Sequence, residues 1–386
     1  MIGVVADDLT GAAELGAIGL RYGLRAEVVL DGKPGREAEL VCMDTDSRSC
    51  SSEEAGIRAA SAARSVIAAG AKWLYKKVDS VLRGPILSEL EAMLRELRLP
   101  SALLVPANPA AGRTVYDGQY FISGKPIHET SFRLDPEYPR SSSDVRELLG
   151  GGNDKWLQVC RVGDRLPPAR IVVGEAASTA DLQYWSRQWV SSILPAGAAG
   201  FFAAMLEATG HQPDSPAENP KGPQPERELF VCGSASQSTR DFIGDMRARG
   251  VPVFGLPSSL AQGAAFTGAG RDGLAEQVAM AWQSHRRVVL EIGLLPVSNS
   301  TVARGLADRL ADLAYAVLGR AGEAHVYAEG GATAVALARR TGWKRLKVVR
   351  QLASGAATLQ VAEQPAFLFT VKPGSYAWLA EVCTGA

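Results

Sequence analysis

The chain alternates short apolar runs with longer segments in which apolar residues recur every three or four positions. The first run, Ile2-Gly3-Val4-Val5-Ala6, stops at Asp7-Asp8, and Leu9-Thr10-Gly11-Ala12-Ala13 opens a helical pattern behind it. An apolar run this short, then a turn and a helical stretch, predicts a buried strand feeding a helix. Glu27–Leu30 and Glu39–Met43 predict further strands, Ser52–Ala69 an alanine-rich helix, and Trp73–Tyr75 another strand. Leu87, Leu90, Leu94 and Leu97 recur at helical spacing, predicting a core-facing stripe, and Ala102–Val105 predicts the strand after it. In the second half, strands are predicted at Glu228–Cys232, Arg287–Ile292, Ala324–Tyr327 and Ala366–Val371. One helix there carries Val302, Leu306, Leu310, Leu313 and Val317, and another runs from the Gly330 turn to Gly342. This β-α-β order predicts an α/β fold of two domains, each a largely parallel sheet flanked by helices.

The clearest break is His211–Glu228, with five prolines and no apolar anchor larger than Ala217. Such a segment cannot bury enough apolar surface to order itself. The expected organisation is therefore an N-terminal domain over 1–210, a linker or mobile loop over 211–227, and a C-terminal domain over 228–386. A chain of 386 residues is long enough for two cores, and no internal repeat is seen.

Charge narrows the partners. Lys+Arg and Asp+Glu both total 41, which leaves no electrostatic footprint for nucleic acid or an anionic membrane. The expected partners are small molecules, with homo-oligomerisation left open. Five scattered cysteines without a C-x-x-C pair argue against a disulfide framework or a structural zinc site. The first residues enter a strand directly and no apolar run approaches membrane length, so a reduced, cytoplasmic protein is expected.

Four segments place charged or hydroxyl residues just after predicted strands: Asp7-Asp8, Asp44 to Arg48, Lys76 to Gly84, and Asn108 to Thr114. In a parallel sheet these ends line one edge, where open α/β sheets bind ligands. Capping explains one Asp at a strand-to-helix turn, but not two in a row. Arg48 and Arg83 can fork onto a carboxylate, Lys77 offers a point charge, and the acids can accept hydroxyl protons. A small polyhydroxy acid suits such a cleft. In the second half, Gly233-Ser234-Ala235-Ser236 and Gly330-Gly331-Ala332-Thr333 follow strands and precede helices, and Lys372-Pro373-Gly374 follows a third strand. Glycines there let a phosphate reach backbone donors at a helix N-terminus.

Several familiar motifs fail. Gly250 to Gly255 has P-loop glycine spacing, but Leu256-Pro257 stands where lysine and a hydroxyl belong. Gly268-Ala269-Gly270-Arg271-Asp272-Gly273 matches a dinucleotide fingerprint, yet Gln262 to Thr267 before it is not a convincing strand. The four histidines show no pairing at helical spacing, and no metal ligand is assigned.

These segments resemble the four-carbon acid sugar kinase family, whose members phosphorylate threonate, erythronate and related acids with ATP. The resemblance is carried by ADDLTGA (Ala6–Ala12), DSR (Asp46–Arg48), KKVDSVLRG (Lys76–Gly84) and PANPAAGRT (Pro106–Thr114). It continues through GSAS (Gly233–Ser236), GGAT (Gly330–Thr333) and KPG (Lys372–Gly374), in order along nearly the whole chain. It implies an N-terminal acid-sugar domain, a C-terminal nucleotide domain, and transfer of the γ-phosphoryl of MgATP between them. Asp7, Asp8, Arg48, Lys77, Asp79, Ser80, Arg83 and Arg113 are then expected at the sugar acid. Arg48 and Arg83 would hold its carboxylate and Lys77 and Ser80 its hydroxyls. Asp8 would accept the proton of the attacking hydroxyl, with Asp7 and Asp79 as alternatives. Ser234, Ser236, Gly330, Gly331, Ala332, Thr333 and Gly374 are expected at ATP.

Ala332 stands where the family's GGDT has its acid, and Pro373 and Ala377 depart from KSGNFG. Pro373 removes a backbone donor, and the missing acid removes a magnesium or ribose contact. The alternatives are a sugar-acid-binding member without catalysis and, further off, a magnesium-dependent phosphatase. The latter chemistry needs D-x-D, where this chain has adjacent acids.

Overall fold

The computed structural model describes residues 1–386 except 136, 152–155, 214–224, 263–265, 294–299, 354, 375, 380, 381 and 384–386. The chain divides into two compact units, Met1–Ala217 and Glu218–Ala386. Most of the expected linker, 214–224, lies outside the described residues.

In the first unit the chain runs β1 (Ile2–Ala6), α1 (Leu9–Arg21), β2 (Ala26–Val29), β3 (Leu40–Asp44), α2 (Ser52–Ala68), β4 (Leu74–Lys77), α3 (Ile86–Leu97) and β5 (Ser101–Val105). It continues through β6 (Arg113–Tyr116), β7 (Gln119–Ile122), β8 (Lys125–Pro126), α4 (Val145–Leu148), β9 (Leu157–Cys160), β10 (Ile171–Gly174), α5 (Thr179–Gln188), β11 (Ile193–Gly197) and α6 (Ala199–Ala208). Eight strands form one sheet in the order β2-β3-β1-β4-β11-β5-β10-β9, all neighbours parallel. Strands covered on both faces need continuous apolar runs, and β1 and β3 are buried at every residue. Helices α1, α5 and α6 pack in one group and α2 against α3 in another. On α3 the buried apolar residues are Ile86, Leu90, Ala92, Met93 and Leu94, whereas Leu87 and Leu97 of the predicted stripe are only half-buried. The antiparallel meander β6-β7-β8 has no counterpart in the sequence-based expectation.

The second unit runs β12 (Glu228–Cys232), α7 (Gln237–Ala248), β13 (Val253–Gly255), α8 (Gly268–Ser284), β14 (Arg287–Glu291), α9 (Ser300–Leu318), β15 (Ala324–Glu329) and α10 (Gly331–Thr341). It ends with β16 (Arg345–Ala353), β17 (Ala356–Val361) and β18 (Phe367–Lys372). The order is β13-β14-β12-β15-β18-β17-β16, parallel as far as β18 and antiparallel over the last two pairings. Phe230 stacks on Tyr327 with centroids 4.5 Å apart, and Phe242 and Trp378 complete an aromatic core. Gly268 to Gly273 are the opening turns of α8, capped by Thr267, so the dinucleotide-like spacing is helical sequence. Among the described residues no helix is long and apolar enough to cross a membrane.

In each sheet the chain places strands on both sides of its first strand. After β3 the chain crosses β1 to β4, and after β14 it crosses β12 to β15. Such switch points leave a crevice at the carboxyl ends of the strands. Asp7-Asp8 follow β1 and Gly233–Ser236 follow β12, so each half carries its candidate chemistry at its own switch point.

Candidate active site

Strand register sets out the first site. Ala6 pairs with Asp44 on one side and Lys77 on the other, so the residues that follow emerge side by side. Asp7 is buried, and its Oδ2 accepts from Arg48 Nε at 2.7 Å. Asp8 caps α1: its Oδ1 accepts from the Gly11 amide at 2.8 Å, and its Oδ2 from the Thr10 hydroxyl at 2.5 Å. A terminal nitrogen of Arg48 lies 2.9 Å from Asp8 Oδ2 and 3.6 Å from Asp79 Oδ1. Arg83 then grips Asp79 with two bonds of 2.9 Å and reaches Asp135 at 3.2 Å. Arg113 donates to the Ser80 hydroxyl. Lys77 donates to the Val78 carbonyl at 3.0 Å and lies 3.6 Å from Glu14 of α1. All eight residues expected at the sugar acid thus lie along three neighbouring strand ends and at the first residue of β6.

Burial works to raise the Asp79 carboxyl, but Arg83 and Arg48 outweigh it and hold it well below the usual carboxylate range. Burial likewise opposes ionisation of Asp8, and Arg48, Lys77 and the two cap bonds again prevail, so it too is lowered. Burial disfavours the charge on Arg48, yet Asp7, Asp8 and Asp79 more than compensate. The geometry therefore engages both arginines expected to hold a substrate carboxylate with acids of the chain itself. It also gives Asp8 the capping role alongside any other. One acceptor stands apart: Asp7 Oδ1 is buried and has no hydrogen-bond partner among the described residues.

Several contributors went unrecognised in the sequence. Tyr120 donates to the Ser80 carbonyl, and Tyr138 to the Arg48 carbonyl at 2.5 Å. Phe132 lies 6.0 Å from the Arg83 guanidinium, and buried Arg140 donates to the Val81 carbonyl at 3.0 Å. The stretch from β6 to Arg140 thus fastens the arginine-bearing loops. Beneath them, Glu89 of α3 lies 2.9 Å from Lys76 Nζ and accepts from Ser47 at 2.5 Å, all three side chains buried. Burial pushes the Glu89 carboxyl up even against Lys76, with Asp7 adding to the rise.

In the second unit Cys232, Glu329 and Lys372 end level on three adjacent strands. Their turns meet: the Ser236 hydroxyl donates to the Gly374 carbonyl at 2.8 Å and Ser234 to the same carbonyl at 3.2 Å. At Gly233 a Cβ would fall 1.8 Å from the Thr333 hydroxyl, so only glycine lets the two turns approach. Gly330 opens α10 at φ +95 with no side-chain cap, leaving the first-turn amides of Gly331 and Ala332 to an external acceptor. Ala332 is exposed, whereas Thr333 is buried behind Gly233. Among the described residues no group of three or more His, Cys, Asp or Glu is set to hold a metal ion.

The sugar-binding N-terminal domain family matches residues 2–205, the whole first sheet with its site. The chain is 36% identical to a D-threonate kinase of Salmonella typhimurium over 156 residues, covering 38% of this chain and 35% of that protein. It is 32% identical to a D-erythronate kinase of Heliobacterium modesticaldum over 264 residues, 61% of this chain and 58% of the relative. A 3-oxo-tetronate kinase of Methylobacterium radiotolerans aligns at 27% over 416 residues, 97% and 96% of the two chains. The first two relatives are thus spanned over about a third and somewhat over half of their length. A solved Haemophilus influenzae protein shares the fold at TM-score 0.74 and 19% identity, covering 99% of both chains. A Salmonella typhimurium LT2 protein does so at 0.79 and 18%, covering 97% of this chain and 96% of that one. Because this match covers more than half of the chain, the chain belongs to the sugar-binding N-terminal domain family.

Proposed function

We propose that the chain is an ATP-dependent kinase that moves the γ-phosphoryl group onto a hydroxyl of a four-carbon sugar acid such as threonate, erythronate or an oxo-tetronate. The observation that carries this reading is the cluster of Asp7, Asp8, Arg48, Asp79 and Arg83 at the β1 switch point, inside the matched sugar-binding domain. Arg48 and Arg83 would act mainly by fixing the acids. Arg113, which has no acidic partner among the described residues, would take the substrate carboxylate, with Lys77 and Ser80 on its hydroxyls. Asp7, with one oxygen still lacking a donor, would accept the proton of the attacking hydroxyl ahead of Asp8. Transfers of this kind depend on positioning and charge stabilisation more than on covalent chemistry by the protein.

ATP would lie on the second unit at the Gly330 turn, its phosphates on the amides of Gly331 and Ala332 and beside Ser234, Ser236 and Gly374. Thr333 would support that turn from behind. Magnesium neutralises phosphate charge in such reactions, and it would be carried largely by the phosphates, as is usual where, as among the described residues, no carboxylate cage is formed. A second reading, a sugar-acid-binding member without turnover, is favoured by exposed Ala332, which puts no acid at the turn.

The deciding experiment is ADP release with MgATP and a panel of D- and L-threonate, D- and L-erythronate and oxo-tetronates. Turnover on one acid is expected. Binding of an acid with no turnover on any would replace the kinase reading with the second one.

A further inference from the structure

Beneath the three turns of the second unit lies a buried carboxylate that the proposed reaction does not use. Glu329, the last residue of β15, has no exposed surface. Its Oε1 accepts from the Thr239 hydroxyl of α7 and lies 3.3 Å from Nζ of Lys372 on β18. Its Oε2 accepts from the Trp378 indole N–H at 3.1 Å. Glu329 immediately precedes Gly330-Gly331, and Lys372 immediately precedes Pro373-Gly374. Thr239 lies one helical turn beyond Ser236, whose hydroxyl is 2.8 Å from its own. Ser236 closes the circuit on the Gly374 carbonyl at 2.8 Å.

Backbone ladders already join β12, β15 and β18, so holding the sheet together does not call for this carboxylate. A buried carboxylate is costly unless its oxygens are satisfied, and here they meet three side chains from three segments. We infer that Glu329 is a positioning residue for the nucleotide. Its carboxylate fixes the spacing of the Ser234–Ser236, Gly330–Ala332 and Gly374 turns, so that their donors meet the phosphates together. The inference rests on reading the second unit as the ATP site.

The test is calorimetric titration of the intact protein with ATP, beside KM for ATP and for the acid. Thr239→Val keeps the shape of the side chain and removes the hydroxyl, Thr239→Ser restores it, Trp378→Phe removes the indole donor, and Glu329→Gln removes the charge. Thr239→Val and Trp378→Phe are expected to weaken ATP binding about tenfold each, as losing one hydrogen bond to a charged group would. Thr239→Ser should bind as the parent does. KM for the acid and kcat at saturating ATP should stay within about twofold, the signature of lost uniform binding. Parental ATP affinity in folded Thr239→Val and Trp378→Phe would overturn the inference while leaving the nucleotide site standing. If Glu329→Gln fails to fold, the Thr239 pair decides alone. Absence of ATP binding by the parent protein would overturn both.

Discussion

Arg48 donates through Nε to Asp7 Oδ2 at 2.7 Å, and both side chains are largely withdrawn from water. The two residues are 41 positions apart, and the pairing of Ala6 with Asp44 brings their loops together. Because Arg48 also faces Asp8 and Asp79, it is the counter-charge for three acids at once.

Removing it should therefore cost more than one ion pair. Arg48→Met is expected to destabilise the first unit by about 3–5 kcal/mol, the range for stranding buried charges. Asp7→Asn should cost less, since Asp8 and Asp79 still engage the guanidinium. In urea denaturation the double variant should fall short of the sum of the two losses by about 1 kcal/mol or more. Strict additivity would mean that the pair is not energetically coupled.

The choice between the two adjacent acids is open to a kinetic test. Asparagine caps helices nearly as well as aspartate, so Asp8→Asn should keep the α1 cap and lose stability chiefly through the missing pairing with Arg48. Asp7→Asn removes the acceptor proposed to take the proton and should lower kcat by about a hundredfold or more, the usual span for a general base. Should Asp8→Asn lose turnover while Asp7→Asn keeps it, the base is Asp8 and the unpartnered oxygen of Asp7 has another purpose.

How much of this was legible in the sequence varies with the physics of each element. Ile2–Ala6 and Glu228–Cys232 could be read closely because strands buried on both faces must be continuous apolar runs. The charged segments could be grouped because they follow such strands. Glu89 could not be seen, since a glutamate between leucines on an amphipathic helix looks like a solvated face. It is buried only because Lys76 and Ser47 meet it from elements far along the chain. Tyr120, Asp135, Tyr138 and Arg140 escaped for a related reason. They lie in the short meander and the irregular stretch after it, which give little periodic signal, and their partners are loops some 40 to 90 residues earlier. Thr333 belongs to a motif whose pattern does not tell a phosphate contact from packing, and its side chain is buried behind Gly233.

Acid should weaken the first unit through Asp79. Its folded carboxyl titrates well below the ordinary value because Arg83 and Arg48 overcome burial, so the unfolded chain takes up the proton first. The stabilisation is complete above about pH 4 and is lost as pH falls from there toward the folded value. Asp8, lowered in the same direction, adds to that loss. Urea midpoints followed from neutral to strongly acid pH should drop steeply at the acid end, and Asp79→Asn should flatten part of that drop. An unchanged acid limb in Asp79→Asn would show that the carboxyl is not held low.

The second unit should respond to acid at milder pH, through a histidine. His325 on β15 is buried, with Nε2 2.7 Å from the Thr370 hydroxyl and its ring stacked on Tyr327 at 4.0 Å. Burial, helped by the charge of Arg350, pushes its pKa down to about 3. The folded protein therefore keeps this ring neutral while the unfolded chain protonates it near the ordinary value of about 6.5. The stability contributed by the neutral ring is intact above that value and is lost progressively as pH falls through the interval down to about 3. From the size of the shift, the loss between about pH 7 and pH 4 is on the order of 3 kcal/mol. His325→Gln keeps a hydrogen-bonding group toward Thr370 and does not titrate. It should cost stability at neutral pH through the lost ring stacking, yet show a shallower decline on acidification than the parent. Parallel declines in the two proteins would place the acid sensitivity of the second unit elsewhere, with the Glu329–Lys372 pair the next group to replace.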